Sequence, residues 1–440
     1  MRIYENYKNI SSSFWLSHIP QHWEYKKMKY IFSEHSEKGH PHEPLLVASQ
    51  NMGVVPKDVY GSRTVEAQKD LHLLKFVNVG DFVISLRSFQ GGIEYAYYQG
   101  IISPAYTILT PKDSADASYL KYLLKSIDFI SLLKLCVTGI REGQNIDYAK
   151  LKNYKLPLPP RSEQDQIVKF LDWKVSCINK LIGIKKREIQ CLRRAKVSNI
   201  KEIIDDLKCN FRLKNIAKSY GRIGFRGYST ADLVEKGHGA ITTSPSNISD
   251  MGMNFEQCSY LPWEEYEESP EIQLKKGDIL VVKTGSSYGK TGFVDSLPLE
   301  ATINPQLLII RADSDNVIPE YLFYSIKYGA IQEQINKGII GSTIPTISES
   351  RIMSYRLSIP EVGIQRKRLE KIKNLEFRYN KLIHTFEQSI MELNNLKVGV
   401  VSDVVTGKVD VRNIEIPEYE FVEEENDTVA NSDNKEGPEE

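Results

Sequence analysis

Cysteine is scarce and unpatterned in this chain. Its 440 residues hold five, Cys136, Cys177, Cys191, Cys209 and Cys258, an odd number with no C-x-x-C pair. That argues against a disulfide framework or a zinc ribbon and suits a reducing cytoplasm. Long apolar runs are missing too: the longest, Phe129 to Val137, is nine residues and contains Lys134, about half of a membrane span. The opening MRIYENYKNI lacks the apolar stretch of a signal peptide, so neither a membrane nor export is expected.

Net charge is absent as well, with 57 basic and 57 acidic residues. The zero averages unlike parts. Residues from Pro417 to Glu440 carry ten acids and one lysine, and the rest is +9, with 56 basic against 47 acidic residues. The acidic end reads as a disordered, solubilising tail. A mildly basic body permits nucleic acid as a partner without requiring it.

Catalytic signatures are also lacking. Gly285-Ser-Ser-Tyr-Gly289-Lys290-Thr291 has three residues between its glycines, where a phosphate-binding loop needs four. No helical pattern follows Thr291, so this segment reads as a Gly-rich hairpin whose polar side chains face a ligand. Asn304-Pro305-Gln306 lacks the second proline and the aromatic of an amino-methyltransferase signature and reads as a structural turn. Six of the eight histidines (His18, His22, His35, His40, His42, His72) crowd the N-terminal part of the chain without metal-ligand spacing. No Ser/His/Asp set or carboxylate cluster stands out. The residues therefore point to a chain that catalyses nothing by itself and holds no metal.

What the sequence does have is a repeat of about 201 residues. Asn179-Lys180-Leu181-Ile182 recurs as Asn380-Lys381-Leu382-Ile383, and at the same shift Pro159 meets Pro360, Gln164 meets Gln365 and Lys196 meets Lys397. Gly80-Asp81 and Gly277-Asp278 each precede an apolar strand. Matches kept in order make the chain a tandem duplication. Each copy is a globular unit followed by a long proline-free segment. A Ser162-x-x-Asp165 pattern is expected to cap the first of these helices.

The helical stripe runs Leu171, Val175, Ile178, Ile182, Ile189, Leu192, and recurs in register as Tyr379, Ile383, Phe386, Ile390, Leu393, Val400. Two helices of about 40 residues, roughly 60 Å each, follow from the 1.5 Å rise. They pack on each other, antiparallel if a two-fold axis relates the copies; the alternative is that each lies on its own domain. Lys196 and Lys397 lie in the stripe, where they snorkel to solvent or face DNA; snorkelling is preferred.

The globular units read as mixed α/β. Strands are expected at Leu45–Val47, Phe82–Leu86, Tyr106–Leu109, Ile279–Lys283 and Leu307–Arg311, and helices at Ala117–Lys134 and Pro319–Asn336. The copies diverge most between Gly39 and Ala67 and between Tyr220 and Glu268. A shared scaffold with divergent loops suggests two modules reading two different targets.

Several of these residues resemble a known family. Leu156-Pro-Leu-Pro-Pro-Arg-Ser-Glu-Gln-Asp-Gln-Ile167 with Phe170-Leu171-Asp172 is similar to the start of the central conserved helix in specificity (S) subunits of Type I restriction-modification systems. The segments from Gly139 to Asp147 and from Gly277 to Gly292 resemble parts of their target-recognition domains. Pro20-Gln-His-Trp23 and Phe211-Arg-Leu-Lys-Asn-Ile216 resemble the two domain entries. Pro360-Glu-Val-Gly-Ile-Gln365 keeps one proline and the glutamine of the helix start and loses the rest.

The resemblance implies an α+β duplication of target-recognition domain plus helix, the helices forming an antiparallel coiled coil with pseudo-two-fold symmetry. Its divisions would be 1–158 (first target-recognition domain), 159–207 (central helix), 208–358 (second domain), 359–408 (distal helix) and 409–440 (acidic tail). It implies a non-catalytic, sequence-specific binder of double-stranded DNA in the cytoplasm. Each domain would read half of a bipartite gapped site, and the helices would set the spacing. Two modification (methyltransferase) subunits with S-adenosylmethionine would dock on the helices. Two restriction subunits would supply ATP- and Mg-dependent translocation and cleavage. The rival is an orphan DNA-binding scaffold of another defence or DNA-processing complex.

DNA contacts are expected from polar loop residues. The candidates are Arg87, Ser88 and Gln90 after the first Gly-Asp strand, with Lys283, Ser286, Ser287, Tyr288 and Lys290 as counterparts. To these are added Arg141, Gln144 and Asn145 against Ser342, Thr343 and Thr346, and Arg222 with Arg226 in a basic Gly-rich segment. For each, the competing reading is an exposed loop residue that touches nothing.

Overall fold

Each repeated Gly-Asp pair makes a tight turn into a strand. Gly80 and Gly277 sit at φ +94° and +96°, a region open to glycine and strained for other residues. In the two turns an aspartate oxygen accepts the backbone N–H three residues back, Asn78 N to Asp81 Oδ2 and Lys275 N to Asp278 Oδ2, both at 2.8 Å. The second acceptor oxygen is used differently. Asp81 Oδ1 accepts from the Thr110 hydroxyl at 2.7 Å, whereas Asp278 takes both arms of the Arg311 guanidinium at 2.7 Å.

The computed structural model describes residues 2–10, 15–61, 70–86, 88–113, 115–139, 145–204, 210–222, 228–249, 252–313, 315–337 and 345–424. Two units make up the chain, Met1–Arg187 with Phe386–Glu440, and Glu188–Thr385. Unit 1 holds an antiparallel four-stranded sheet of β1 (Phe32–His35), β2 (Phe82–Ile84), β3 (Glu94–Tyr95) and β4 (Thr107–Pro111) in the order β1-β4-β2-β3. Unit 2 repeats it with β5 (Ala217–Gly221), β6 (Ile279–Val282), β7 (Thr291–Phe293) and β8 (Leu307–Ala312) in the order β5-β8-β6-β7.

Strand alternation buries both faces of these sheets. Phe82 and Leu109 join Trp23, Tyr119 and Phe129 on one side, while Val83 and Ile108 meet Leu46, Val54 and Val77 on the other. In unit 2, Ile279 and Ile310 pack on Tyr321 and Ile331, and Leu280 and Ile309 pack on Ile241 and Ile303.

The two predicted helices after the sheets are each broken. Ala117–Leu123 and Ile127–Lys134 are separated at Ser126, whose Oγ accepts the Phe129 N–H at 3.3 Å, and Pro319–Tyr328 and Ala330–Lys337 are separated at Gly329. Strand ends also shift by one or two residues from expectation, to Leu46–Ser49 and Thr107–Pro111.

The long helices are Arg161–Ile204 (central) and Val362–Val405 (distal), 44 residues each. Ser162 lies inside the first turn and is not the cap: the Glu163 and Gln164 N–H groups both bond the Pro160 carbonyl. The repeated glutamine anchors each helix start. Buried Gln164 accepts from Asp116 N at 2.7 Å and donates to Pro159 O at 2.8 Å; buried Gln365 accepts from Ile318 N at 2.9 Å and donates to Pro360 O at 2.7 Å.

In unit 1 the first half of the central helix, through Ile167, Phe170 and Leu171, shares a core with Val404 and Val405 at the end of the distal helix. In unit 2 the last turns of the central helix, Ile200 and Ile204, share a core with Leu369 and Ile372 near the distal helix start. The helices are therefore antiparallel. Of the stripe, Leu171, Ile178, Ile182, Ile189 and Ile383 are buried, and Val175, Leu192, Tyr379, Phe386, Ile390, Leu393 and Val400 are half-buried.

Two expectations fail here. Lys196 and Lys397 do not snorkel: Lys196 Nζ donates to Asn380 Oδ1 at 3.3 Å and Lys397 Nζ to Asn179 Oδ1 at 3.4 Å, because amide oxygens from the facing helix reach them inside the seam. The solvated tail does not begin at residue 409 either. Gln166 donates to the carbonyls of Val411 and Ile414, and Asn179 to that of Val422, so the chain to Glu424 lies along the central helix. Residues 425–440 are outside the described residues.

Candidate nucleic-acid interface

In unit 2 the Gly-rich segment is the turn of the β6–β7 hairpin, and no helix follows it, as the spacing of its glycines predicts. Gly289 N donates to Val282 O at 2.9 Å and Lys290 N to Ser287 O at 3.0 Å, closing the turn. Gly285 and Gly289 take φ +102° and +78°, and a Cβ on Gly289 would press on Ile335 Cγ2 at 3.0 Å.

A distant segment joins this turn. Thr284 bridges to Thr346, Gly285 N donates to Pro345 O at 3.1 Å, and Ile347 N donates to Lys283 O at 2.9 Å. Lys283, Ser286, Ser287, Lys290 and Thr346 are thus gathered at one end of the hairpin. Ser286 and Thr346 are exposed and the other three half-exposed. Among the described residues neither lysine has a carboxylate partner.

Tyr288 turns inward and packs on the unit 2 core. Its burial, reinforced by Tyr355, pushes its pKa up, so the phenol stays neutral. The sequence reading missed Asn304 and Gln306. Lys283 N donates to Gln306 O at 2.8 Å, Asn304 Oδ1 accepts from Gln306 N at 3.0 Å, and the exposed Gln306 amide lies beside Gly285. Their signal was present: two amides flanking a proline between strands, read only as a turn.

Unit 1 builds the corresponding end differently. The chain between β2 and β3 is a helical turn, Ser88–Gly91, which lies against the two-residue strand Asn145–Ile146. Gln90 is exposed at this turn, and Asn145 is exposed on the strand with its Oδ1 accepting from Ile146 N at 2.8 Å. Ser88 is fully buried and accepts from Ser85 N at 2.9 Å, so it caps the turn and cannot reach a ligand. A hairpin between Leu46–Ser49 and Gly53–Pro56 adds exposed Gln50, beside Gly91, and exposed Asn51; from the sequence only the strand at Leu45–Val47 was expected here, within a divergent region.

Behind that hairpin sits Glu94, 1% exposed, paired with Lys125 Nζ at 2.6 Å, while the same ammonium donates to Gln50 O at 3.0 Å. Burial, opposed by Lys125, pushes the Glu94 carboxyl up to about 7. The pair ties strand β3, the helix junction and the Gln50 hairpin together.

Arg222 is a correction. It is buried, donates to Ile303 O at 3.0 Å and Thr302 Oγ1 at 3.2 Å, and stacks on Tyr228 at 5.1 Å. Burial pulls its pKa below the usual arginine value. It fastens β5 to the adjacent strand Ala301–Ile303 and does not face outward. Arg87, Arg141, Gln144, Arg226, Ser342 and Thr343 lie outside the described residues.

Among the described residues no group of His, Cys, Asp and Glu could hold a metal ion, and no helix is long and apolar enough to cross a membrane.

The chain is similar to known proteins over most of its length. It is 24% identical over 359 residues to the Type I restriction enzyme MjaVIII specificity subunit of Methanocaldococcus jannaschii, covering 77% of this chain and 81% of that one. It is 23% identical to a putative type I restriction enzyme specificity subunit of Haemophilus influenzae, covering 77% and 85%. A chain solved in work on complex assembly and conformational transition of the type I R-M system has the same fold, with a TM-score of 0.62 at 14% identity over 89% of this chain and 99% of that one. The family model for the Type I restriction modification DNA specificity domain matches residues 20–190 and again 239–392. Two matched segments, one in each repeat, make this chain a member of the Type I restriction-modification specificity-subunit family.

Proposed function

We propose that the chain binds double-stranded DNA and gives sequence specificity to a Type I restriction-modification complex, without catalysing a reaction itself. The observation that carries this reading is the gathering of polar side chains at equivalent ends of two equivalent sheets: Gln50, Asn51, Gln90 and Asn145 in unit 1, and Lys283, Ser286, Lys290, Gln306 and Thr346 in unit 2. Amide side chains suit adenine edges, and lysine suits guanine edges or phosphate. Each unit would read one half of a bipartite site, and the antiparallel helices would fix the gap. A half-site separation near one helical turn, ~34 Å, is what such a reader needs.

The helices would also dock two modification subunits that carry S-adenosylmethionine, with two restriction subunits bringing ATP and Mg. The test is sequencing of base modification in cells with the gene intact and with it deleted. Loss of methylation at one gapped bipartite motif on deletion is expected. An unchanged methylation pattern, with the modification subunits demonstrably active, would overturn the reading.

A further inference from the structure

The repeat places a Lys–Asn pair in each unit, and the two pairs are completed differently. Burying an ammonium group is costly unless a counter-charge accompanies it. In unit 1 Lys397 bonds Asn179, and Glu424 adds a carboxylate at 2.8 Å. That glutamate arrives on an extended strap. Ser176 Oγ donates to Glu420 O at 2.9 Å and accepts from Val422 N at 2.7 Å, Asn179 Nδ2 donates to Val422 O at 3.1 Å, and Lys180 pairs with Glu420 at 3.2 Å.

In unit 2 the same receptor is built without an acid. Lys196 is 7% exposed, yet among the described residues its only partner is the neutral Asn380, and the Asn380 Nδ2 has no partner among them either. Lys381, the repeat of Lys180, is exposed. Phe377, at the repeat position of Ser176, is 69% exposed.

We propose that Lys196 and Asn380 receive an extended acidic segment of a partner subunit. One carboxylate would pair with Lys196 and a second with Lys381. A backbone carbonyl would accept from Asn380 Nδ2, and an apolar side chain would cover Phe377. The strap of unit 1 shows the chemistry of the occupant, and charge complementarity selects it. Among the described residues there is one such strap for two receptors, and it is engaged in unit 1. The inference takes from the proposed function only that the partner is a subunit of the same complex.

The test uses the full chain and a labelled, end-blocked peptide of its own residues 417–424 as probe, followed by fluorescence anisotropy without DNA. One equivalent is expected to bind, more weakly as salt rises. Lys196→Met is expected to weaken binding at least tenfold, and Lys397→Met to leave this event in place. Phe377→Ser changes an exposed side chain, so it cannot simply unfold the chain, and it should also weaken binding. No binding, or binding untouched by Lys196→Met and Phe377→Ser, overturns the proposal. Light scattering is expected to show a monomer. A dimer that disappears when 417–440 are removed would make the occupant a second copy and overturn the partner assignment. Because no DNA is present, failure here leaves DNA reading intact, and failure of DNA reading leaves peptide binding intact.

Discussion

Strands β2 and β3 of unit 1 and strands β6 and β7 of unit 2 pair in the same register, and the same ladder position holds opposite chemistry. Val83 pairs with Glu94 in one and Leu280 with Gly292 in the other. Unit 1 buries a carboxylate there with Lys125 beside it, whereas unit 2 leaves room that Met253 fills: a Cβ on Gly292 would meet Met253 Sδ at 2.8 Å. The Gly-Asp turns show the reverse, with a hydroxyl on Asp81 and a guanidinium on Asp278. The backbone bonds repeat while the buried charge moves. A duplicated fold thus keeps what the main chain requires and varies what side chains can rebuild.

Removing one side of that comparison should have the largest effect in unit 2. Asp278→Ala leaves the Arg311 guanidinium, 23% exposed, without its pair, and is expected to cost about 3–5 kcal/mol. Asp81→Ala removes a hydroxyl and a backbone bond and is expected to cost about 1–3 kcal/mol. Urea unfolding of the two variants would show it, and equal losses would contradict the contrast.

Glu94 sharpens the difference by pH. Its folded pKa is raised from 4.5 to about 7, so the folded state holds the proton more tightly. The stability this gives is complete below about pH 4.5 and is lost as pH rises through 7. Glu94→Gln should therefore remove a decline in stability, on the order of 2 kcal/mol, between pH 5 and 8. Melting temperature against pH is the measurement, and an unchanged slope would refute the assignment.

Gln164→Leu and Gln365→Leu probe the part that does not differ. Each strands two or more buried backbone groups, and each is expected to cost about 1–3 kcal/mol. A large disparity between them would show that the repeat is not equivalent at the helix starts. The smallest effects concern binding, given the proposed function. Lys290→Ala should weaken all DNA sequences alike and lower the salt slope by about one. Gln90→Ala should alter preference at one half-site with the salt slope unchanged, read from binding titrations across salt and sequence.

Much of this architecture was legible because duplication makes a sequence its own comparison. Recurrence of Gln164 as Gln365 and of Gly80-Asp81 as Gly277-Asp278 marked equivalent positions, and the structure shows what each pair does, which is to bond the backbone in the same way in both copies. The interface was less legible. The hairpin turn and Thr346, both candidates, do lie together, yet Ser88 and Arg222 are buried, and the Gln50 hairpin and Gln306 were not among the candidates. Local polarity does not reveal which way a polar residue faces, since a cap or a buried guanidinium has the same composition as a contact.

By itself, then, the sequence determined the two repeats, the helix pair and its stripe, and the absence of a phosphate-binding helix after Gly289, because periodicity and glycine spacing are local properties of the chain. Only the tertiary structure decided that Thr346 closes on Gly285, that Lys196 and Lys397 are held by asparagines across the helix seam, and that the acidic segment to Glu424 lies on the central helix. Those contacts join residues between about 60 and 240 positions apart, where no local pattern records the pairing and burial energy selects it.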